Sequence, residues 1–188
     1  MKTIDEMLDE VAKIVSAPKA PKPVQNTSVK TAQSKPVITK SAAQKKIESM
    51  PFYDKLTLSF AKEIAYAVEQ AAESMGLNVV IAIDDEGANL TLLHSMDDAY
   101  IASLKIAQDK AYTAVALKMT TAQALEMSRG GALDGLTNGN GIMLLGGGEP
   151  LKAGGKIFGG IGVSGGTKEQ DIMLAHLGAT YFEHRIKI

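Results

Sequence analysis

The chain has 188 residues, 45% of them hydrophobic and 22% charged, with a formal net charge of −1 and no cysteine. That balance suits one globular domain of about 130 residues plus an extension. It leaves out disulfides, iron–sulfur clusters, thiolate zinc sites and a thiolate haem ligand, gives no global field that selects nucleic acid, and contains no apolar run near the ~20 residues that span a bilayer.

Residues 3 to 16 read as a separate short helix. Thr3 and Glu6 form a T-x-x-E capping box. Ile4, Met7, Leu8, Val11 and Val15 then recur at helical spacing as one apolar stripe, while Asp9, Glu10 and Lys13 face away. A helix this short is marginal in water unless the stripe is covered. Acids at 5, 6, 9 and 10 stand where a signal peptide would carry its apolar core, so a cytoplasmic protein is expected. Residues 17 to 50 read as a disordered linker. Pro18, Pro21, Pro23 and Pro36 lie among Ala, Ser, Thr and Gln, and the lysines meet no acid between Glu10 and Glu48. A solvated spacer is favoured over a basic docking arm.

A folded domain is expected over 51–188. Phe60, Ile64, Val68, Ala71 and Met75 mark a helix face, with Gly76 as its stop. Asn78 to Ile83 is an apolar strand, Asp84-Asp85-Glu86-Gly87 a turn, and Leu90 to Ser95 the returning arm of a hairpin. The acids of that turn lack the ligand spacing of a calcium loop. Asp98 to Met119 predicts a long helix whose alanines permit close approach to a sheet or to an identical helix. Thr120 and Gln123 cap a shorter helix ending near Arg129, and a loop containing Asn138, Gly139, Asn140 and Gly141 follows. Ile142 to Leu145 is expected as a central third strand, with Gly146 to Pro150 a bend and Lys152 to Gly155 a turn.

The fourth strand, from Lys156, sets Ile157, Ile161 and Val163 on one face. Its other face, behind Phe158, carries Gly160, Gly162 and Ser164, a lane without side chains against which a flat ligand or another backbone can lie. Ser164, Gly165 and Gly166 turn the chain, and Thr167 with Gln170 opens a last helix running toward Phe182. Free amides at that helix start would attract a carboxylate or phosphate. Gly160-x-Gly162-x-x-Gly165 matches a dinucleotide fingerprint as a bare pattern, but its first two glycines lie inside a strand and no second strand follows. The order α-β-β-α-α-β-β-α argues for an α+β fold, an antiparallel sheet of four to five strands flanked by helices in a profilin-like α/β/α arrangement.

The run from Gly159 to Asp171 closely resembles the signature of the GlcG/HbpS family, which includes the C-terminal domain of PduO-type cobalamin adenosyltransferases. Met96-Asp97, the stretch from Ile106 to Ala114, and Gly146-Gly147-Gly148-x-Pro150-Leu151 extend the match over roughly residues 55 to 185. The resemblance implies a compact α/β domain, often oligomeric, with haem bound in several members. The helix–spacer–domain layout is also similar to the encapsulation peptides of bacterial microcompartment cargo. It implies that residues 1–16 dock on shell or core proteins and that the chain resides in a microcompartment lumen. The competing reading has the stripe fold back on its own domain or pair with itself in an oligomer.

Candidate ligand chemistry follows from residue type. His94, at the end of strand two, and Met96 beside it carry groups that serve as axial haem ligands; His94 as an ordinary strand-end histidine is the competing reading. On the long helix Tyr112 and Thr113 offer hydroxyls to ferric iron, and Lys110, at the position of the family's lysine, could pair with a propionate. Alternatively Asp109 and Lys110 bind the glycine turn and stabilise the fold. His176 is expected to be partly buried or at a protomer contact, and His184 is explained by its helix end. Helix dipole alone accounts for Glu169 and Asp171. Ser164 lies outside any G-x-S-x-G elbow, and no catalytic arrangement emerges. Three functions stand: a haem- or related-cofactor-binding accessory protein, a small-acid-binding protein or enzyme using Ser164, Gly165, Gly166 and Thr167 as an anion site, and an oligomeric scaffold.

Overall fold

A computed structural model describes residues 52–188. The readings placed on 1–16 and 17–50 lie outside the described residues. The elements are α1 (Leu58–Ser74), β1 (Val80–Asp85), β2 (Leu90–Ser95), α2 (Ile101–Leu117), α3 (Thr121–Met127), β3 (Gly148–Ala153), β4 (Lys156–Ser164) and α4 (Lys168–Arg185). Four strands form one sheet in the order β2-β1-β4-β3, with every neighbour antiparallel. The α+β class and the element order are as expected.

Helices cover both faces. α1 and α4 pack on one through Phe60, Ile64, Val68, Leu174 and Phe182, against Ile81, Ile83, Ile161 and Val163. α2 covers the other, setting Ala107 and Ala111 on Val80 and Ala82. Alternation along β1 divides its residues between the two layers. The chain enters beside its own end, where Tyr53 bridges Ile186 and Arg185 reaches Glu63 at 3.4 Å.

The caps follow the expected chemistry. Thr120 with Gln123, and Thr167 with Gln170, each make a reciprocal capping box. α2 starts three residues later than expected, at Ile101, because Asp98 takes a left-handed conformation (φ 62°) and breaks the helix entry.

Three strand assignments change. Asp84 and Asp85, expected in the turn, end β1 by pairing with Gly160 and Gly159, and Asp84 is buried. Residues Ile142 to Leu145 are not a strand; the third strand is Gly148–Ala153, the stretch expected to bend and turn. Pro150 is tolerated because β3 is an edge strand, where a missing backbone donor costs nothing. The three glycines before it mark crowding: a Cβ on Gly148 would come within 2.6 Å of the Lys110 carbonyl oxygen, and one on Gly147 within 2.7 Å of the Asp171 side chain. The facing within β4 changes as well. Leu151 pairs with Gly159 but Lys152 with Ile157, so Phe158 is an extra residue in β4. The slip turns Phe158 onto the α1/α4 face, 5.5 Å from the Phe182 ring, and Ile157 away from Ile161 and Val163.

Candidate functional site

The glycine lane of β4 is the first place to test. Gly160 and Gly162 are buried. A Cβ on Gly162 would overlap the Ala107 carbonyl, and one on Gly160 would lie 2.6 Å from the Ala111 carbonyl oxygen and 2.8 Å from Val115. The lane is therefore filled by the backbone of α2, not left open for a guest. Of the two occupants that a bare lane admits, it holds a backbone, and the alanines of α2 are what let that helix come so close. Beyond Val115 lies an open depression of about 530 Å³, also lined by Glu86, Gly87, Lys118, Gly155 and Ile157. None of these is an imidazole, thioether or phenol, so it offers haem iron no customary ligand.

The glycine turn is occupied in the same way. Asp171 accepts the Gly166 amide at 2.9 Å through Oδ1 and the Lys110 ammonium at 2.7 Å through Oδ2. Lys110 also donates to the Val163 carbonyl at 2.7 Å. The Thr167 amide goes to Gln170 Oε1 at 2.8 Å. Both members of the ion pair are buried, with side chains 2% and 7% exposed. Burial pushes the Lys110 ammonium down and the Asp171 carboxyl up, and each is opposed by the charge of its partner. Three expectations change at this turn. Lys110 is not available to a propionate, and the anion at the helix start is Asp171, so the small-acid reading loses its site. Nor does the helix dipole alone account for Asp171; its role was hidden because its partner lies 61 residues away. The alternative reading, in which Lys110 binds the glycine turn, holds. Asp109 instead pairs with Lys105 along the outer face of α2.

Thr113 and Ser164 also serve the fold. Thr113, fully buried, donates to the Asp109 carbonyl at 2.6 Å and accepts the Met143 amide at 2.8 Å, which anchors the 138–145 loop. Ser164 meets Ser103 at 3.1 Å between Oγ atoms. Met96 packs on the main core, and its sulfur accepts the Val79 amide at 3.4 Å. Thr113 and Ser164 are buried and Met96 is half-buried, and each has its side-chain heteroatom engaged within the fold.

Two accessible side chains remain. His94 sits on the edge strand β2, opposite Ile81, with its side chain 39% exposed and Nδ1 3.6 Å from Glu69 Oε2 of α1. Tyr112 is 37% exposed on α2, its ring against Gly141. They lie on opposite faces of the sheet and are not brought together. The donor chemistry at His94 fits haem iron: imidazole is a customary axial ligand, and the Glu69 carboxylate stands on the Nδ1 side of the ring. His176, expected to be partly buried or at a protomer contact, is 48% exposed in the single chain and lies 2.9 Å from Glu149 Oε1, so burial within its own domain does not hold it. No group of three or more metal-ligating side chains occurs among the described residues, and none of the described helices is long and apolar enough to cross a membrane.

A family model described as haem degrading protein HbpS-like matches residues 56–180. The chain belongs to the HbpS-like family. It is 44% identical over 123 residues to an uncharacterized 15.0 kDa protein from the dhaT-dhaS intergenic region of Citrobacter freundii, covering 64% of this chain and 87% of that one. The corrinoid adenosyltransferase PduO of the same organism is 36% identical over 125 residues, 64% of this chain but only 37% of PduO. Among solved structures, a complex of PduOC with haem superposes with a TM-score of 0.64 at 32% identity, covering 68% of this chain and 94% of that one. The HbpS-like match takes in the Lys110–Asp171 network, the glycine lane and His94.

Proposed function

We propose that this protein is a haem-binding accessory protein in which His94 is the axial ligand. The observation that carries the reading is the accessible His94 imidazole held beside Glu69, in a chain whose HbpS-like domain superposes on a haem complex of PduOC. Bound haem supplies a redox-active iron; the protein supplies His94 to hold it and Glu69 to orient the ring. Met96 supports the end of β2 from the core side instead of ligating. The same chain forms a homo-oligomer, for which Tyr100 and Ile101, 71% and 85% exposed side by side at the start of α2, supply apolar contact surface. An assembly of this kind would also serve as a scaffold.

Residues 1–16 direct the domain to a bacterial microcompartment by docking their apolar stripe on a shell or core protein. Support comes from the stripe itself, from the spacer behind it, and from the resemblance of both to encapsulation peptides.

Hemin titration followed at the Soret band tests the cofactor assignment. The wild-type chain should give a saturable band that His94→Ala loses and Tyr112→Phe keeps. Loss in Tyr112→Phe alone would move the ligand to α2, and no band at all would end the haem reading. For targeting, a reporter fused to residues 1–50 should co-purify with shells, and Leu8→Glu should abolish this. A reporter that stays diffuse beside assembled shells would refute it.

A further inference from the structure

We infer that Asn140 is a site of spontaneous covalent modification, deamidation through a succinimide, and that the neighbouring Asn138 is protected from it. Both asparagines precede glycine, in the run Asn138-Gly139-Asn140-Gly141. The reaction needs the amide nitrogen of the following residue to attack the side-chain Cγ. A new N–C bond closes the ring and the C–N bond to the side-chain nitrogen breaks, releasing ammonia. Water then opens the succinimide at either carbonyl, leaving an aspartyl or an isoaspartyl residue. Glycine after asparagine permits this because it places no side chain beside the attacking nitrogen and adopts the needed backbone angles freely.

The structure treats the two sites differently. At Asn138 both reacting groups are held. Its Oδ1 accepts the Leu144 amide at 2.6 Å, and the Gly139 nitrogen donates to the Ile142 carbonyl at 3.2 Å. At Asn140 neither is: among the described residues, neither its carboxamide nor the Gly141 nitrogen has a hydrogen-bond partner, and Asn140 is exposed. Asn140 and Gly141 are the two central residues of a tight turn closed by the Gly139–Ile142 bridge, both at positive φ (51° and 84°). That is the geometry of a type I′ turn, which asparagine–glycine favours. Attack on Cγ requires Asn140 to leave this conformation. Opening the Gly139–Ile142 bridge, together with the 3.3 Å contact from Thr113 to the Gly141 carbonyl, allows that, while the bond from Leu144 still holds Asn138.

The location gives the change a consequence. Gly141 packs on the Tyr112 ring and its carbonyl accepts from Thr113 at 3.3 Å. An isoaspartyl residue lengthens the backbone by one methylene inside a two-residue turn, so the turn over Tyr112 cannot re-form as it was.

The full chain, incubated warm at mildly alkaline pH, is digested and mapped by mass spectrometry, with isoaspartyl methyltransferase labelling to mark the product. A parallel sample in concentrated urea supplies the unfolded reference. The native chain should convert Asn140 several-fold faster than Asn138, while in urea the two convert at similar rates. Equal conversion in the native chain, faster conversion at Asn138, or an intact Asn140 once the urea sample has reacted would each overturn the inference.

Discussion

The Lys110 ammonium and the Asp171 carboxylate, 61 residues apart, meet at 2.7 Å in the interior. The contact ties α2 to the start of α4, and through Val163 and Gly166 it also holds the end of β4 and the glycine turn. Breaking such a pair from one side leaves an uncompensated buried charge. Lys110→Met should therefore cost about 3–5 kcal/mol of unfolding free energy. Lys110→Met combined with Asp171→Leu should recover part of the loss, but not all of it, because the Gly166 amide loses its acceptor. Urea denaturation of the three variants checks this.

Asp84 supplies a pH dependence. Its carboxyl is buried on β1, and desolvation, with the nearby Asp85 charge, raises its pKa from 3.8 to about 7. The native state thus keeps a proton that the unfolded chain has already lost. Stability should fall as pH rises from the unfolded value toward the native one, with a slope approaching about 1.4 kcal/mol per pH unit. Asp84→Asn should flatten that part of the profile and gain most, relative to wild type, above neutrality. Thermal unfolding across the pH range measures it.

Close backbone packing at the glycine lane gives a steric prediction. Gly162→Ala puts a methyl group into the Ala107 carbonyl, which can yield only if α2 shifts. The expected loss is at least about 1–3 kcal/mol, the ordinary cost of overpacking. Gly155→Ala is the contrasting control: a Cβ there meets nothing within 4 Å, so its effect is confined to the strain of a positive φ (80°).

Glu69 is expected to act on haem through His94. Glu69→Gln keeps the shape but removes the charge facing Nδ1, and should weaken hemin affinity roughly 10–100-fold. Circular dichroism and unfolding midpoint should stay near wild type, since Glu69 is partly exposed. Unchanged affinity would separate the carboxylate from the ligand site.

The element order, both capping boxes, the hairpin and the alanine face of α2 were legible from local pattern, because caps, turns and periodicity are written in adjacent residues. The third strand was not. Gly148-Glu149-Pro150 carries turn-forming residues, and only its place at the sheet edge and the helices crowding its glycines make it a strand. The slip at Phe158 was equally hidden, since it depends on the partner strand's register. At the candidate site, residue type singled out His94 and Tyr112 as ligands; burial was what removed Lys110, Thr113 and Ser164. The pairing of Lys110 with Asp171 and of His94 with Glu69 spans distances in sequence that no local motif records.

Ligand rescue decides whether His94 holds haem. The ferric complex of the wild-type chain should show the electron paramagnetic resonance and Soret signature of histidine ligation; His94→Ala should lose both, and exogenous imidazole should restore them. A histidine signature that persists in His94→Ala, or a wild-type chain that takes up no hemin, would contradict the account.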